Sequence, residues 1–356
     1  MAATQAPITN TTQDALGRVT LVHFPDYNMM VWNGTDAAHT LNMAQCPTGS
    51  AVFSSFPTVF SGFSSTQTDT ALARYENSAV NGPCFVLAPN QVEGYVVLVE
   101  PTGSIIVCAT KLVPGSKSYA WELVVGTEIV SESKATSGYQ VITGSKAAGA
   151  PAAAMGLQNG RLVLNIVWQD AGAGCMVLAQ IEVGNPQATL SFKPLNQSCI
   201  GQPSLVMQGG ISFLAWSGLD KSFNMAIDPA GGVDFQFDDH LVDSSRPSPL
   251  GPCLVPINNT QLYVVSASVQ GIQYAQFAMN QFGQWGFNPA SGCSGIVPGT
   301  GISLGGPYAH RDDGTDGDGQ TFPALAVVWP DQFGNILTTN IPVSLAPVPI
   351  IQAALG

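Results

Sequence analysis

Between Gly201 and Asp239 the chain contains four short apolar runs, SLVM, ISFLAW, FNMAI and VDFQF. They are separated by Gly-Gly, by Ser-Gly-Leu-Asp-Lys and by Pro-Ala-Gly-Gly. Short runs rich in β-branched and aromatic residues, bounded by Gly, Pro and Asp, are strands and turns. Four such strands in immediate succession form one up-and-down antiparallel sheet. A sheet of this size left alone exposes both edges and one apolar face to water, so it needs partners.

The partners are further copies of the same unit. Trp32-Asn-Gly-Thr-Asp36 and then Asn42-Met43 repeat the order of Trp216-Ser-Gly-Leu-Asp220 and Asn224-Met225. Second-strand landmarks fall near positions 32, 98, 168, 216, 266 and 329. A four-stranded unit recurring at about 50 residues is a radial repeat. The expected fold is all-β, a six-bladed β-propeller of four-stranded antiparallel blades in one domain spanning residues 1–356. The blades are expected near residues 17–63, 82–130, 149–196, 201–242, 250–290 and 299–345. Polar segments at 64–81 and 131–149 read as insertions after the first two units, and PYAHRDDGTDGDGQ as an insertion within the sixth. The sixth unit has no evident fourth strand. Either TQAPITN near the start or APVPIIQAAL at the end is expected to close the ring.

Composition narrows the function classes. Only 10% of residues are charged, and 11 Lys and Arg stand against 23 Asp and Glu, a net charge of −12. That balance argues against a nucleic-acid backbone or an anionic membrane as partner and suits a neutral or cationic ligand better; the partner expected is a carbohydrate or a small neutral ligand. It leaves the oligomeric state open. Seven cysteines show no CxxC spacing and most sit in or beside apolar runs, so they read as reduced core residues. The N-terminal stretch has no basic start followed by an apolar core, and no run approaches a membrane span. A cytoplasmic protein is therefore expected.

The Trp-x-Gly-x-Asp turn, the following Asn-Met and the later Gly-x-x-Phe resemble repeats of bacterial and fungal β-propellers related to sialidases and propeller lectins. The resemblance covers the whole chain as architecture and implies ligand binding at propeller loops. The Ser-x-Asp-x-Gly-x-Thr-Trp box of sialidases is absent, and the Arg-Glu-Trp set of fucose-binding lectins is not repeated.

The candidate ligand-binding residues are the paired Trp32 and Asp36, Trp168 and Asp170, Trp216 and Asp220, and Trp329 and Asp331. An indole face suits sugar C–H bonds, and a nearby carboxylate accepts hydroxyl protons. The same spacing also suits a Trp packed between blades with Asp closing a β-turn. Asp312, Asp316 and Asp318, spaced by Gly, form the candidate metal site, with Ca²⁺ as the candidate cofactor. The four histidines, His23, His39, His240 and His310, show neither HxH nor HExxH spacing, and no catalytic set is assigned. The favoured function is non-catalytic, lectin-like carbohydrate recognition. The alternative is an enzyme with one central-channel site acting on a glycan or a small neutral metabolite.

Overall fold

The computed structural model describes residues 8–15, 17–35, 41–50, 53, 58–59, 82–99, 103–112, 121–123, 139–142, 144–183, 191–237, 241–290, 292–301, 303, 305–315 and 321–344. Strand β1 (Thr9–Asp14) precedes the first blade, which holds β2 (Thr20–His23), β3 (Tyr27–Asn33), β4 (Leu41–Pro47) and β5 (Thr58–Val59). The second blade holds β6 (Cys84–Leu87), β7 (Glu93–Val99), β8 (Ile105–Leu112), β9 (Trp121–Leu123) and β10 (Tyr139–Ile142). The third holds β11 (Ala152–Gln158), β12 (Arg161–Gln169), β13 (Met176–Glu182) and β14 (Ser191–Pro194). In the fourth are β15 (Ile200–Gln208), β16 (Ile211–Ser217), β17 (Phe223–Asp228) and β18 (Leu241–Asp243). The fifth contains β19 (Cys253–Asn258), β20 (Gln261–Ser268), β21 (Gly271–Met279), β22 (Trp285–Phe287) and β23 (Ser294–Ile296). The last contains β24 (Tyr308–Thr315), β25 (Thr321–Pro330) and β26 (Asn335–Pro342).

These strands form six antiparallel sheets, and the first strand of each blade touches the first strand of both neighbours. Strands β2, β6, β11, β15, β19 and β24 thus make a closed inner ring. The molecule is a six-bladed β-propeller. The ring closes through the N-terminus: β1 adds to the outer edge of β26, with Thr9 opposite Thr338 and Asn10 opposite Leu337. The Thr11 hydroxyl also donates to the Ile336 carbonyl at 2.9 Å.

Each blade face is covered by the next blade, so the second strands are buried on both sides and read as nearly unbroken apolar runs. In β12 the six residues from Val163 to Trp168 are all buried. Six apolar clusters lie between the six pairs of adjacent blades. The hairpins are tight where the turn chemistry allows it. Asn159 and Gly160 take φ of 51° and 77° between β11 and β12, the double left-handed turn that matches strand twist.

Pro83, Pro151, Pro252 and Pro307 immediately precede four inner strands, and Pro203 lies within β15 where its register with β16 shifts. An inner strand is a sheet edge facing the channel, where a missing N–H costs no ladder bond. Gly251, at φ 90°, lies beside Gln202 so closely that a Cβ would fall 2.0 Å from its carbonyl oxygen. Only glycine permits both that backbone and that approach.

Three sequence expectations are corrected. Tyr308–Thr315 is the innermost strand of the last blade, not part of an insertion. His310 and Asp312 mislead because they face the seam with the first blade, where His23, Asn28 and Gly49 meet them. Tyr139–Ile142, within the segment taken as polar and linking, pairs with β8 beyond the length that β9 uses. In the fourth blade the outer strand is Leu241–Asp243, not VDFQF. Val233 and Phe235 are buried and give that run its alternation, but Asp228 ties its backbone into a turn through Ala230 and Asp234.

Candidate functional site

Second strands run antiparallel to inner strands, so the end of each second strand lies beside the start of its inner strand. The β3–β4, β12–β13, β16–β17 and β25–β26 hairpins, which carry the Trp/Asp pairs, therefore gather on one face, here called the leading face. The β12–β13 hairpin is the best defined. Asp170 follows β12 and forms an isolated bridge with Ala147, at the entrance to the third blade. Its Oδ1 accepts the Gly172 and Ala173 N–H groups, both at 2.9 Å. Its Oδ2 accepts the Lys146 N–H at 2.9 Å and the Trp168 Nε1–H at 3.0 Å. Burial works to raise the Asp170 pKa, but the Trp168 indole and three backbone donors outweigh it and hold the carboxyl below its usual range.

A carboxylate offers about four lone-pair sites, and here all are used. Asp170 thus fixes the hairpin and orients Trp168. The indole is 1% exposed, within the cluster between the second and third blades. Its edge meets Phe192 at 6.4 Å and 89°. Phe192 is 46% exposed, and with Lys146, Trp168, Asp170, Gly172 and Pro194 it lines a cavity of about 430 Å³. An exposed aromatic wall, a cationic residue and an immobile floor make a cleft suited to a ring with both apolar and hydroxylated faces.

The other Trp/Asp pairs share the register but not the chemistry. Trp32, Trp216 and Trp329 also end second strands, are at most 1% exposed, and pack toward the preceding blade. Trp216 meets Phe237 edge-on at 5.8 Å, the counterpart of the Trp168–Phe192 contact. Asp220 Oδ1 accepts the Ser222 N–H and hydroxyl, and Asp331 accepts from Phe333 and Asn335. With the Asp331 carboxylate so occupied, the buried Trp329 Nε1–H finds no partner. Asp36 lies outside the described residues.

Asp312 sits 2% exposed on β24, and its Oδ2 accepts the Asn28 amide at 2.8 Å and the Gly49 N–H at 2.9 Å. Asp316 and Asp318 lie outside the described residues, among which no group of three metal-binding side chains occurs. His39 and His240 also lie outside them. His23 and His310, distant in sequence, come together at the seam between the first and last blades, with ring centroids 4.9 Å apart. His23 Nδ1 bonds Asn28 Oδ1 at 3.0 Å, which extends the contact to Asp312. All seven cysteines are free thiols. Burial pushes the Cys46 and Cys199 thiols up to about 12, which leaves them unreactive. No helix among the described residues is long and apolar enough to cross a membrane.

Sequence reasoning missed Phe192 and Lys146. Phe192 alternates with Leu190 and Pro194 in a run read as a plain strand, and no local pattern marks it as 46% exposed.

No protein-family model and no curated protein sequence matches this chain. Solved structures match its fold. AofleA from Arthrobotrys oligospora is 11% identical with a TM-score of 0.57, over 93% of this chain and 84% of that one. The fucose-specific lectin from Aleuria aurantia is 8% identical with a TM-score of 0.53, over 94% and 97%. The Trypanosoma rangeli sialidase is 9% identical with a TM-score of 0.56, over 92% of this chain but 55% of the sialidase. At such identities the likeness is one of fold.

Proposed function

We propose that the protein is a lectin-like carbohydrate-binding protein that takes sugars in clefts between blades on the leading face. The observation that carries this reading is the Phe192 wall over the Trp168–Asp170 hairpin, with Lys146 at its rim. In this reading the sugar ring packs on Phe192 and its hydroxyls reach the Lys146 ammonium and exposed turn backbone. Trp168 and Asp170 hold that surface rigid. The same hairpin register at Trp32, Trp216 and Trp329 supports more than one site per ring, with avidity above that of any single cleft. The fold shared with a fucose-specific lectin is consistent with this. A glycan array is the test, with Phe192→Ala and Lys146→Ala alongside the wild type. Wild-type binding that falls at least about tenfold in Phe192→Ala, the loss of roughly 1.4 kcal/mol, supports the reading. An array with no bound glycan, or binding indifferent to Phe192, overturns it.

A second reading, an enzyme with one central site, is favoured by the seam cluster of His23, His310, Asn28 and Asp312. Unlike polar groups gathered at one place and not repeated around the ring are what catalysis needs. A panel of aryl glycosides assayed against His23→Ala separates the two. Turnover that this variant loses favours the enzyme.

A further inference from the structure

We propose that the cleft walled by Phe192 selects a sugar bearing a single negative charge, held at the Lys146 ammonium. This rests on the carbohydrate-binding reading above and narrows its ligand class.

Lys146 stands in the segment that leads into the third blade, and its backbone is fixed there. Its N–H donates to Asp170 Oδ2 at 2.9 Å, and the next residue, Ala147, bridges to Asp170. The side chain is exposed and lines the same cleft as Phe192. Its stem runs past the Gly172 turn, where an added Cβ would lie 3.4 Å from Lys146 Cδ and 3.2 Å from Asp170 Oδ1. Glycine leaves that path to the stem.

No carboxylate neutralises the ammonium. The ion pairs among the described residues are Arg161–Glu182, Lys193–Asp234 and Arg246–Asp243. Asp170 is the one acidic residue lining the cleft, and its oxygens already accept from the Trp168 indole and three backbone N–H groups. A carboxylate or sulfate ester on the sugar supplies the missing charge while its ring packs on Phe192. The net charge of −12 opposes an anion at long range. Salt screens that field beyond about 8 Å, and contact with Lys146 falls well inside this distance.

The other Trp/Asp hairpins do not repeat the cation. The third, fourth and sixth blades are entered through Gly149-Ala-Pro151, Gly201-Gln-Pro203 and Gly305-Gly-Pro307, and the first through Gly17-Arg-Val19. Three positions before those glycines stand Lys146, Ser198, Ile302 and Asp14 in the same order. The charged sugar is therefore taken at the third blade. Lysine is a point charge without the planar fork of arginine, so a uronate and a sulfated sugar both suit it.

The experiment is a glycan array printed with glucose and galactose, each in neutral, uronate and sulfated forms. It is probed with the full-length wild type, Lys146→Gln, Lys146→Arg and Phe192→Ala. The charged forms should bind the wild type about fivefold more strongly than the neutral ones, the size expected of one exposed ion pair. Lys146→Gln should bring all forms to within about twofold of each other, while Lys146→Arg keeps the preference. Phe192→Ala should weaken every form alike. A preference for the uronates alone or the sulfates alone, lost in Lys146→Gln, supports the proposal and names the anion. Equal binding of neutral and charged forms by the wild type, or a preference that survives Lys146→Gln, overturns it. Neutral sugars that still bind through Phe192 would in that case leave the carbohydrate-binding reading standing. An array with no bound sugar overturns both.

Discussion

Asn28 on β3 donates its amide N–H to the Asp312 carboxylate on β24 at 2.8 Å, across 284 residues of sequence. This bond ties the first blade to the last at the point where the ring must close. Gly49 adds a backbone donor to the same oxygen at 2.9 Å, and the Asn340 amide returns a bond to the Gly49 carbonyl at 3.2 Å. The seam thus adds a buried carboxylate pairing to the apolar cluster that it shares with every other blade junction.

Replacing Asp312 tests how much that pairing stabilises the ring. Asp312→Ala leaves the buried Asn28 amide and Gly49 N–H without an acceptor, at a cost of about 3 kcal/mol. Asp312→Asn, which keeps one acceptor oxygen, should recover part of it. Urea denaturation measures both, and a loss below about 0.5 kcal/mol for the alanine variant would make the seam bond dispensable.

Strand β1 is the outer strand of the last blade, so a chain lacking residues 1–14 should leave the β26 edge bare. An unpaired edge beside an apolar core lowers stability and templates association. The truncated chain should melt earlier than the full chain and elute as aggregate on size exclusion. An unchanged melting midpoint would mean that β1 contributes nothing to closure.

Two glycines with positive φ should respond differently to alanine. At Gly251 the added Cβ meets the Gln202 carbonyl at 2.0 Å, while at Gly283, φ 78°, it meets open space. Gly283→Ala should cost about 1 kcal/mol, the left-handed backbone penalty alone. Gly251→Ala should cost about 3 kcal/mol or more, since backbone strain and overpacking add. Comparable midpoints in guanidinium for the two variants would contradict the close approach at the inner ring.

Burial, and then the neighbouring His23 charge, push the His310 pKa down to about 4. Its Nδ1 is tied to the Arg311 carbonyl and its Nε2 is buried without a partner, with Asp312 as the nearby carboxylate. Between the unfolded value of about 6.5 and the folded value the unfolded chain binds the extra proton, so stability falls as the pH drops through that window. His310→Gln should flatten this part of the profile. Melting midpoints at several pH values from neutral to mildly acidic give the comparison, and parallel wild-type and variant slopes would exclude His310 as a source of acid lability.

The repeat and the strand identities were readable along the chain because they rest on local signals. The Trp-x-Gly-x-Asp turns at Trp32 and Trp216, the Trp-x-Asp turns at Trp168 and Trp329 and the apolar second strands put these four residues at one register, and the structure keeps them there. The apparent insertion at Tyr308–Thr315 was misleading because His310 and Asp312 pair across a seam that no local pattern reveals. The outer strand of the fourth blade was displaced for the reverse reason. Val233 and Phe235 alternate as a strand would but reach the core from an irregular segment.

The sequence by itself determined the number of blades, the identity of their second and third strands and the surplus of acidic charge. Those follow from turn residues, period-two alternation and composition, each of which acts over a few neighbouring positions. The tertiary structure decided that β1 closes the ring, that His23 meets His310, that Phe192 stays exposed beside the buried Trp168, and that Asn28 pairs with Asp312 across the seam. Each of these is set by which blade face meets which when the ring closes. That geometry brings together residues separated by up to the whole length of the chain, and no local pattern encodes it.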